Sequence, residues 1–412
     1  MKTIFDISVL GMGYYYPKSR TGVHRVVENL ATGLVTDNLA FSAIESLPGA
    51  MRYAQSRWRN PFVHTDSELS LANAENKLLR FTSPNSFPEK AIRASFRKIR
   101  SVFLPDQFQL NTRQLAHYKL FHSPYFPIPK VVQQHPTLRP VLTIHDLIPI
   151  RFPHFFGNET NHIVEQIVKS LPQSGFAICV SEATKADFLD YTGFAENQVF
   201  VTPLAADPDI FFQCKDKALI HNTLQQYQIP TEQPYLLSLA TLEPRKNTEQ
   251  VIKSFVQLVQ QEAIQDLNLV LVGTKGWDFD RIFEAIDHAG QYRSRIFVTG
   301  YVPDTHLSPL YSGALAFVYP SFAEGFGLPP LEAMQCGLPV ITSDTTSLPE
   351  VVGTAGIVVP PTDGEALCQA MLRVYQNSVL RHELSVKSLE RANQFSWKKT
   401  IAETKAIYQA IS

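Results

Sequence analysis

Twelve short runs of β-branched and aliphatic residues, interleaved with amphipathic helical stretches, constrain this chain more than any single motif. In the first half they are IFDISVL (4–10), FSAIESL (41–47), YKLFHS (118–123), VLTIHDL (141–147), FAICVS (176–181) and QVFVTPL (198–204). In the second they are PYLLSLA (234–240), LNLVLVG (267–273), RIFVTGY (295–301), LAFVYPS (315–321), LPVITSD (338–344) and AGIVVP (355–360). Strands covered on both faces need such unbroken apolar runs, and they belong to parallel sheets wound with helices. The series is told twice over 412 residues, more than one hydrophobic core usually sustains. An α/β chain of two Rossmann-like, doubly wound domains is therefore expected.

The break between them is expected near VTPLAADPDIFFQ (201–213), where a strand runs into Pro203 and Pro208. That gives a first domain over 1–207 and a second over 208–394, with a helix at about 395–412 packing back onto the first. Residues 50–115 carry no clear strand and read as an insertion of helices and long loops. Within it, EKAIRASFRKIRSVFLP puts Ile92, Phe96, Ile99 and Phe103 on one helical face and Lys90, Arg93, Arg97, Lys98 and Arg100 mostly elsewhere. An ordinary surface helix has that pattern, and so has one lying on an anionic membrane.

Composition narrows the class. The net charge of −1 gives no whole-chain attraction to nucleic acid, although 21 Lys and Arg face 17 Asp and Glu in residues 1–207. Cys179, Cys214, Cys336 and Cys368 are widely spaced without a C-x-x-C pair, as expected of reduced thiols in a cytosolic protein. No run approaches the roughly 20 apolar residues of a membrane span. Asp6 interrupts the opening apolar stretch and no small-residue cleavage site follows, so a first strand is expected there rather than a signal peptide.

One stretch carries chemistry: EGFGLPPLE, Glu324 to Glu332, between the strand LAFVYPS and the helical LEAMQCG. Gly325 and Gly327 permit a sharp turn, and Pro329 and Pro330 suit the first turn of a helix. A strand, a glycine turn and a helix N-terminus make an anion site at the carboxyl edge of a parallel sheet. Glu324 and Glu332 flank it, Glu332 in the first helical turn, as acceptors for the sugar and ribose hydroxyls of one nucleotide-linked ligand. Arg245 and Lys246, in LEPRKN after PYLLSLA, are cations at a strand end, suited to a leaving diphosphate. His145 and Asp146 end VLTIHDL in the corresponding place of the first half.

The stretch EGFGLPPLEAMQCGLPVITSD resembles the E-x7-E signature of the retaining GT-B glycosyltransferases of family 4. LPEVVGTAGIVVPPTD, TGVHRVVENLA, IHDLIPIRFP, CVSEATKADF, LEPRKN and the LVG that ends at Gly273 follow the family's order, and only residues 50–115 lie outside it. The resemblance implies the GT-B fold, two such domains facing a central cleft. It implies that Glu324 holds the donor sugar hydroxyls and Glu332 the ribose, and that amides of Gly325, Phe326, Gly327 and Leu328 approach the diphosphate. Arg245 and Lys246 would anchor that diphosphate, Thr21 and Gly22 would approach it from the other side, and Tyr301 and Val302 would frame the base. His145 would line the reactive face of the sugar, with Asp146 a candidate base near the acceptor. Some members carry a further arginine where this chain has Thr241, which shifts the anchoring onto Arg245 and Lys246.

Other motifs are weaker. Gly11-Met12-Gly13 follows a strand but lacks the third glycine of a dinucleotide fingerprint. Asp207-Pro208-Asp209 and Asp278-Phe279-Asp280 read as caps or turns, and Ser181 and Thr184 as helix N-caps. The expected activity is metal-independent, retaining transfer of a hexose, glucose from UDP-glucose, to a saccharide or lipid-linked saccharide in polysaccharide synthesis. No cofactor beyond the nucleotide sugar and no nucleic-acid partner is expected, and the place of work is the cytoplasm, extending to the inner face of the membrane. The rivals are a GT-B phosphorylase or epimerase, a nucleotide-sugar-binding scaffold without activity, and an NAD oxidoreductase.

Overall fold

A computed structural model describes residues 2–16, 22–83, 86–103, 110–156 and 158–412. It divides into two compact units, one of residues 1–180, 185–202 and 397–412, the other of 181–184 and 203–396.

In the first unit all strand pairs are parallel: β1 (Thr3–Asp6), β2 (Leu39–Ser42), β3 (Leu120–Ser123), β4 (Arg139–Ile144), β5 (Phe176–Cys179) and β6 (Val199–Val201), in the order β2-β1-β3-β4-β5-β6. Five fall on the expected apolar runs, because Ile4, Phe121, Leu142, Ala177 and Val199 must enter one core beneath the helices; β2 takes only Phe41 and Ser42 of its run, the rest of which leads into a helix starting at Leu47. The first run is shorter than expected. The strand stops at Asp6 and a helix, Ser8–Tyr15, begins at once. The Asp6 carboxylate ends it by accepting from the Ser8 and Ile44 amides and the Ser42 hydroxyl. Gly11 and Gly13 thus lie in that helix. A Cβ on Gly11 would come within 2.6 Å of the Ala50 amide nitrogen, so the glycine serves close packing on the helix Leu47–Gln55.

The insertion is helical, Asp66–Leu79 and Phe87–Phe103 being its long members. Its buried face differs from the expected one. Phe96 is buried, but Ile99 is exposed, and Glu89 is buried instead. Arg93 pairs with Glu89 at 3.4 Å and lies 4.1 Å from the Tyr15 ring centre, while Arg100 pairs with Glu75 at 2.8 Å and Glu68 at 3.6 Å. Two expected outward cations therefore turn inward onto buried partners, Arg93 to Glu89 and the Tyr15 ring and Arg100 to Glu75 and Glu68, while Lys90, Arg97 and Lys98 are exposed. The side chain of Phe103 lies outside the described residues. The last helix, Trp397–Ala410, lies in the first unit, with Ile401 over Gly33 and the Tyr408 hydroxyl on His122 Nδ1.

The second unit repeats the parallel scheme with β7 (Tyr235–Leu239), β8 (Asn268–Val272), β9 (Ile296–Gly300), β10 (Ala316–Tyr319), β11 (Val340–Ser343) and β12 (Gly356–Val359), in the order β12-β11-β10-β7-β8-β9. Chain order reverses between β7 and β10, and open α/β sheets bind ligands outside the carboxyl ends of the strands at such a reversal. All four cysteines are buried free thiols. Among the described residues no helix is long and apolar enough to cross a membrane.

Candidate functional site

The reversal point of the second sheet is where charge gathers. After β7 the chain makes a one-turn 3-10 helix, Pro244–Lys246, closed by Asn247 in the left-handed region at φ 58°. The Asn247 amide group fixes this turn by donating to the carbonyls of Pro320 and Pro361 at 3.0 and 2.7 Å. After β10 the chain turns through Ser321 to Glu324, and the Ser347 hydroxyl and Thr346 hold the Glu324 backbone.

Between these turns the side chains converge on one atom. Glu324 Oε1 accepts from Lys246 Nζ at 2.7 Å, Tyr319 OH at 2.9 Å and Ser321 Oγ at 2.6 Å, and Arg245 lies 3.2 Å away. Burial pushes this carboxyl up, but Lys246 and Arg245 outweigh it and hold the group down at about 2. Burial moves the Lys246 ammonium the other way, below its ordinary value, while the Glu324 charge props it up. Arg245 is held by Glu243 Oε1 at 2.6 Å and the Ala323 carbonyl at 2.6 Å. Two cations and two acids thus form a neutral set with its members locked. Lys246 gives two of its three N–H donors to Glu324 and Tyr319, and among the described residues the contacts on the Glu324 carboxylate fall on Oε1. The third donor and Oε2 are what a ligand can use.

The signature turn follows. Gly327, at φ 110°, precedes the helix Leu328–Gln335, and a Cβ there would meet Leu348 at 2.9 Å. Pro329 and Pro330 supply no N–H, so the backbone donors at this helix end are those of Gly325 to Leu328. Phe326 is buried edge-on against Phe395. Glu332 is one turn further along than expected: its carboxylate sits in the second turn, buried, accepting from Tyr311 OH at 3.4 Å. Pro329 and Pro330 stand in the first turn as expected, and with the helix starting at Leu328 the fifth residue, Glu332, falls in the second.

The remaining expected residues are spread along the same sheet edge or lie in the first unit. Gly273, at φ 147° after β8, lies so close to β7 that a Cβ would be 1.8 Å from the Ala240 carbonyl oxygen. Tyr301 is exposed and Val302 buried after β9. Ser181 Oγ caps the Thr184 amide at 3.0 Å, and both hydroxyls donate to the Gly325 carbonyl at 2.6 and 2.9 Å. In the first unit His145 gives its Nε2 proton to the Pro124 carbonyl at 2.8 Å, and burial lowers its pKa, leaving a neutral ring with a bare Nδ1. Asp146 Oδ1 accepts the Ile148 amide at 3.0 Å, where the helix Ile148–Arg151 begins. Gly22 starts the helix Gly22–Leu34, and Thr21 lies outside the described residues. Asp207 Oδ1 accepts the Asp209 amide and Asp280 opens the helix Asp280–Asp287, a turn and a first helical turn.

Glu243, Tyr319 and Ser321 were not foreseen. Each sits at or just past a strand end beside a foreseen residue, and that position was the available signal.

Residues 220–391, which hold the cluster and the turn, match the family model described as Glycosyl transferases group 1. The O-antigen chain mannosyltransferase B of Escherichia coli is 34% identical over 300 residues, covering 72% of this chain and 76% of that protein. The chain belongs to the group 1 glycosyltransferases. Another glycosyltransferase relative, the serotype-specific mannosyltransferase WbdA of Escherichia coli, is 31% identical over 268 residues, 63% of this chain but 32% of that longer protein. The structure of sucrose-phosphate synthase from Thermosynechococcus elongatus superposes with a TM-score of 0.69 at 20% identity, covering 100% of this chain and 99% of that one. The fold of this glycosyltransferase is GT-B.

Proposed function

We propose that this glycosyltransferase is a retaining, metal-independent enzyme of family 4 that moves mannose from a nucleotide-linked donor to a saccharide or lipid-linked saccharide acceptor in O-antigen-type polysaccharide assembly. The observation that carries it is the convergence of Lys246, Arg245, Tyr319 and Ser321 on Glu324 Oε1 at the sheet reversal. Lys246 has a donor left for the leaving diphosphate, where negative charge grows in the transition state, and preorganised donors at such a point are the largest single source of rate. Glu324 Oε2 takes a hydroxyl of the hexose, Glu332 the ribose, and the amides of Gly325 to Leu328 the phosphates. Retention follows by attack from the side the diphosphate leaves.

Mannose replaces glucose from UDP-glucose in this reading because the relatives at 34% and 31% identity are named for mannosyl transfer. The acceptor is taken at the inner face of a membrane, with Phe87 and Val102 exposed on the same helix as the exposed Lys90, Arg97 and Lys98. Changing those three cations to glutamate should abolish binding to anionic liposomes; unchanged binding removes the membrane from the reading.

The experiment is nucleoside diphosphate release from GDP-, UDP- and ADP-sugars in EDTA, for the unaltered protein, Glu324→Ala and Lys246→Ala. Release from a mannosyl donor, lost in both variants, is the expected result, and proton NMR of the product reads the anomeric configuration. Release from UDP-glucose alone would return glucose to the reading. Absence of both release and calorimetric binding with every nucleotide would sink it.

A further inference from the structure

The loop after β8 is built with more care than a connection needs. Its pairing with the chain after β7 continues past the strand ends: the Leu242 amide donates to the Thr274 carbonyl at 2.9 Å and the Gly276 amide to the Leu242 carbonyl at 3.0 Å. Gly276 has to be glycine for this, since a Cβ would lie 2.8 Å from Thr241 Cγ2 and 3.0 Å from the Leu242 carbonyl oxygen. Lys275 is spent on bracing, its ammonium 4.5 Å from the ring centres of both Phe279 and Phe283. Asp278, in the left-handed region at φ 48°, then turns the chain into the helix Asp280–Asp287. Between brace and turn stands Trp277, 41% exposed.

An exposed aromatic is ordinary by itself. Here its position is what matters. The loop lies against Thr241–Glu243, the segment that leads into Arg245 and Lys246. The carboxyl ends of three neighbouring strands thus present, in order, the paired cations after β7, Trp277 after β8 and Tyr301, 69% exposed, after β9. The three strands are neighbours, about 4.8 Å apart, so their loops follow one another along the sheet edge. A nucleoside diphosphate has the matching order, with anionic phosphates at one end and a flat aromatic base at the other. Aromatic side chains at such a place bind by stacking, which every base accepts on its π-face.

We infer that Trp277 is the stacking platform for the nucleobase of the donor, with Tyr301 as a second aromatic contact. This rests on the donor-site reading above and adds to it the residue that holds the base. It also explains the bracing: a platform must stay in place when the ligand leaves, and Lys275, Gly276 and the extra rungs to Leu242 keep it there.

The test uses the full chain and three probes, GDP, UDP and inorganic pyrophosphate, followed by calorimetry and by tryptophan fluorescence, the other tryptophans being Trp58 and Trp397 in the first unit. Both nucleotides should quench the unaltered protein, and Trp277→Phe should abolish the quench while keeping Kd within a few-fold. Trp277→Ala should weaken both nucleotides by roughly tenfold or more, the factor that a stack of about 1–3 kcal/mol gives, and leave pyrophosphate unchanged. Equal weakening of all three probes would make Trp277 a prop for the loop and overturn the inference, as would unchanged nucleotide binding by Trp277→Ala. Failure of the unaltered protein to bind any of the three would overturn the donor-site reading and this inference with it.

Discussion

Each unit of this molecule buries a network of ion pairs, and the two are built on opposite plans. Between the helices Asp66–Leu79 and Phe87–Phe103 the charges are spread out. Glu68 and Glu75 share Arg100, and Glu89 takes Arg93. Burial raises the Glu68 and Glu75 carboxyls above their ordinary range, and Arg100 offsets this only in part. At the reversal point of the second sheet the charges converge: two cations and two hydroxyls reach a single oxygen of Glu324, and burial loses to them. A spread network holds helices in register, and apolar residues of similar size often do that as well or better. Convergence on one oxygen fixes cations at a chosen place, and no apolar packing replaces that. Burial of charge is common to both regions; convergence separates the one placed for chemistry.

The largest effect that tests this contrast is on turnover. Lys246→Ala removes the cation with a donor to spare and should lower kcat by about 10²–10³-fold, the usual consequence of losing one preorganised transition-state donor. Arg100→Met, which breaks a pair of similar burial in the first unit, should leave kcat within about twofold. Steady-state kinetics on both variants decides it. A comparable loss from Arg100→Met would erase the distinction between the regions.

Stability should show the reverse order of concern. Arg100→Met strands Glu68 and Glu75 in the interior and should cost roughly 1–3 kcal/mol, less than a fully buried pair because Arg100 keeps 23% side-chain exposure. Adding Glu68→Leu and Glu75→Leu should recover most of that in a urea titration. If the triple variant stays as weak as the single one, the hairpin needs its charges for more than register.

The two plans also predict opposite slopes with pH. Glu324 has a folded pKa of about 2, below its ordinary 4.5, so the stability it contributes is complete above 4.5 and is lost as pH falls toward 2. Glu75 has a raised folded pKa, so the folded state holds its proton longer and stability declines as pH rises from 4.5 through that raised value. The difference in unfolding free energy between unaltered protein and Glu324→Gln should therefore shrink on acidification from pH 5 to 3. For Glu75→Gln, the glutamine variant should gain on the unaltered protein as pH rises from 4 to 7. Parallel slopes for the two would contradict the assigned directions.

How much of this the amino-acid sequence discloses depends on which residues carry the signal. Eleven of the twelve strands lie mainly on their apolar runs, because a strand covered on both faces has no alternation to confuse, while β2 keeps only Phe41 and Ser42 of its run. The first run overshot, since Ile7 to Leu10 suits a helix as well as a strand, and the decisive cap, the Asp6 carboxylate, reaches Ser42 and Ile44 across the sheet. Glu324, Arg245 and Lys246 stood out because cations and acids at strand ends have few other uses. Tyr319 and Ser321 did not, because a tyrosine closing an apolar strand reads as core. Arg93 and Arg100 are expected outside because apolar periodicity says nothing about cations that fold inward, Arg93 onto Glu89 of its own helix and Arg100 onto Glu68 and Glu75 of another.

Tyr319 gives the smallest and sharpest test. Its ring stacks on Phe317 at 5.6 Å and is 1% exposed, and phenylalanine would fill the same space. What Tyr319→Phe removes is one hydroxyl, which accepts from Lys246 at 2.8 Å and donates to Glu324 at 2.9 Å. Burial first, and the Glu324 charge second, push its pKa well above the ordinary value, so the hydroxyl keeps its proton and acts as a donor throughout the working pH range. Losing hydrogen bonds to charged groups costs about 1.5–3 kcal/mol at most, but Lys246 keeps Glu324 and Glu324 keeps Ser321 and Arg245, so the lower end applies. The expected outcome is a KM for the donor raised about 3–10-fold with kcat changed by less than a factor of about three, because ground and transition states lose the same positioning. A kcat as low as that of Lys246→Ala would mean that the hydroxyl takes part in the reaction itself, and convergence on Glu324 would then be the means of orienting Tyr319 rather than Lys246.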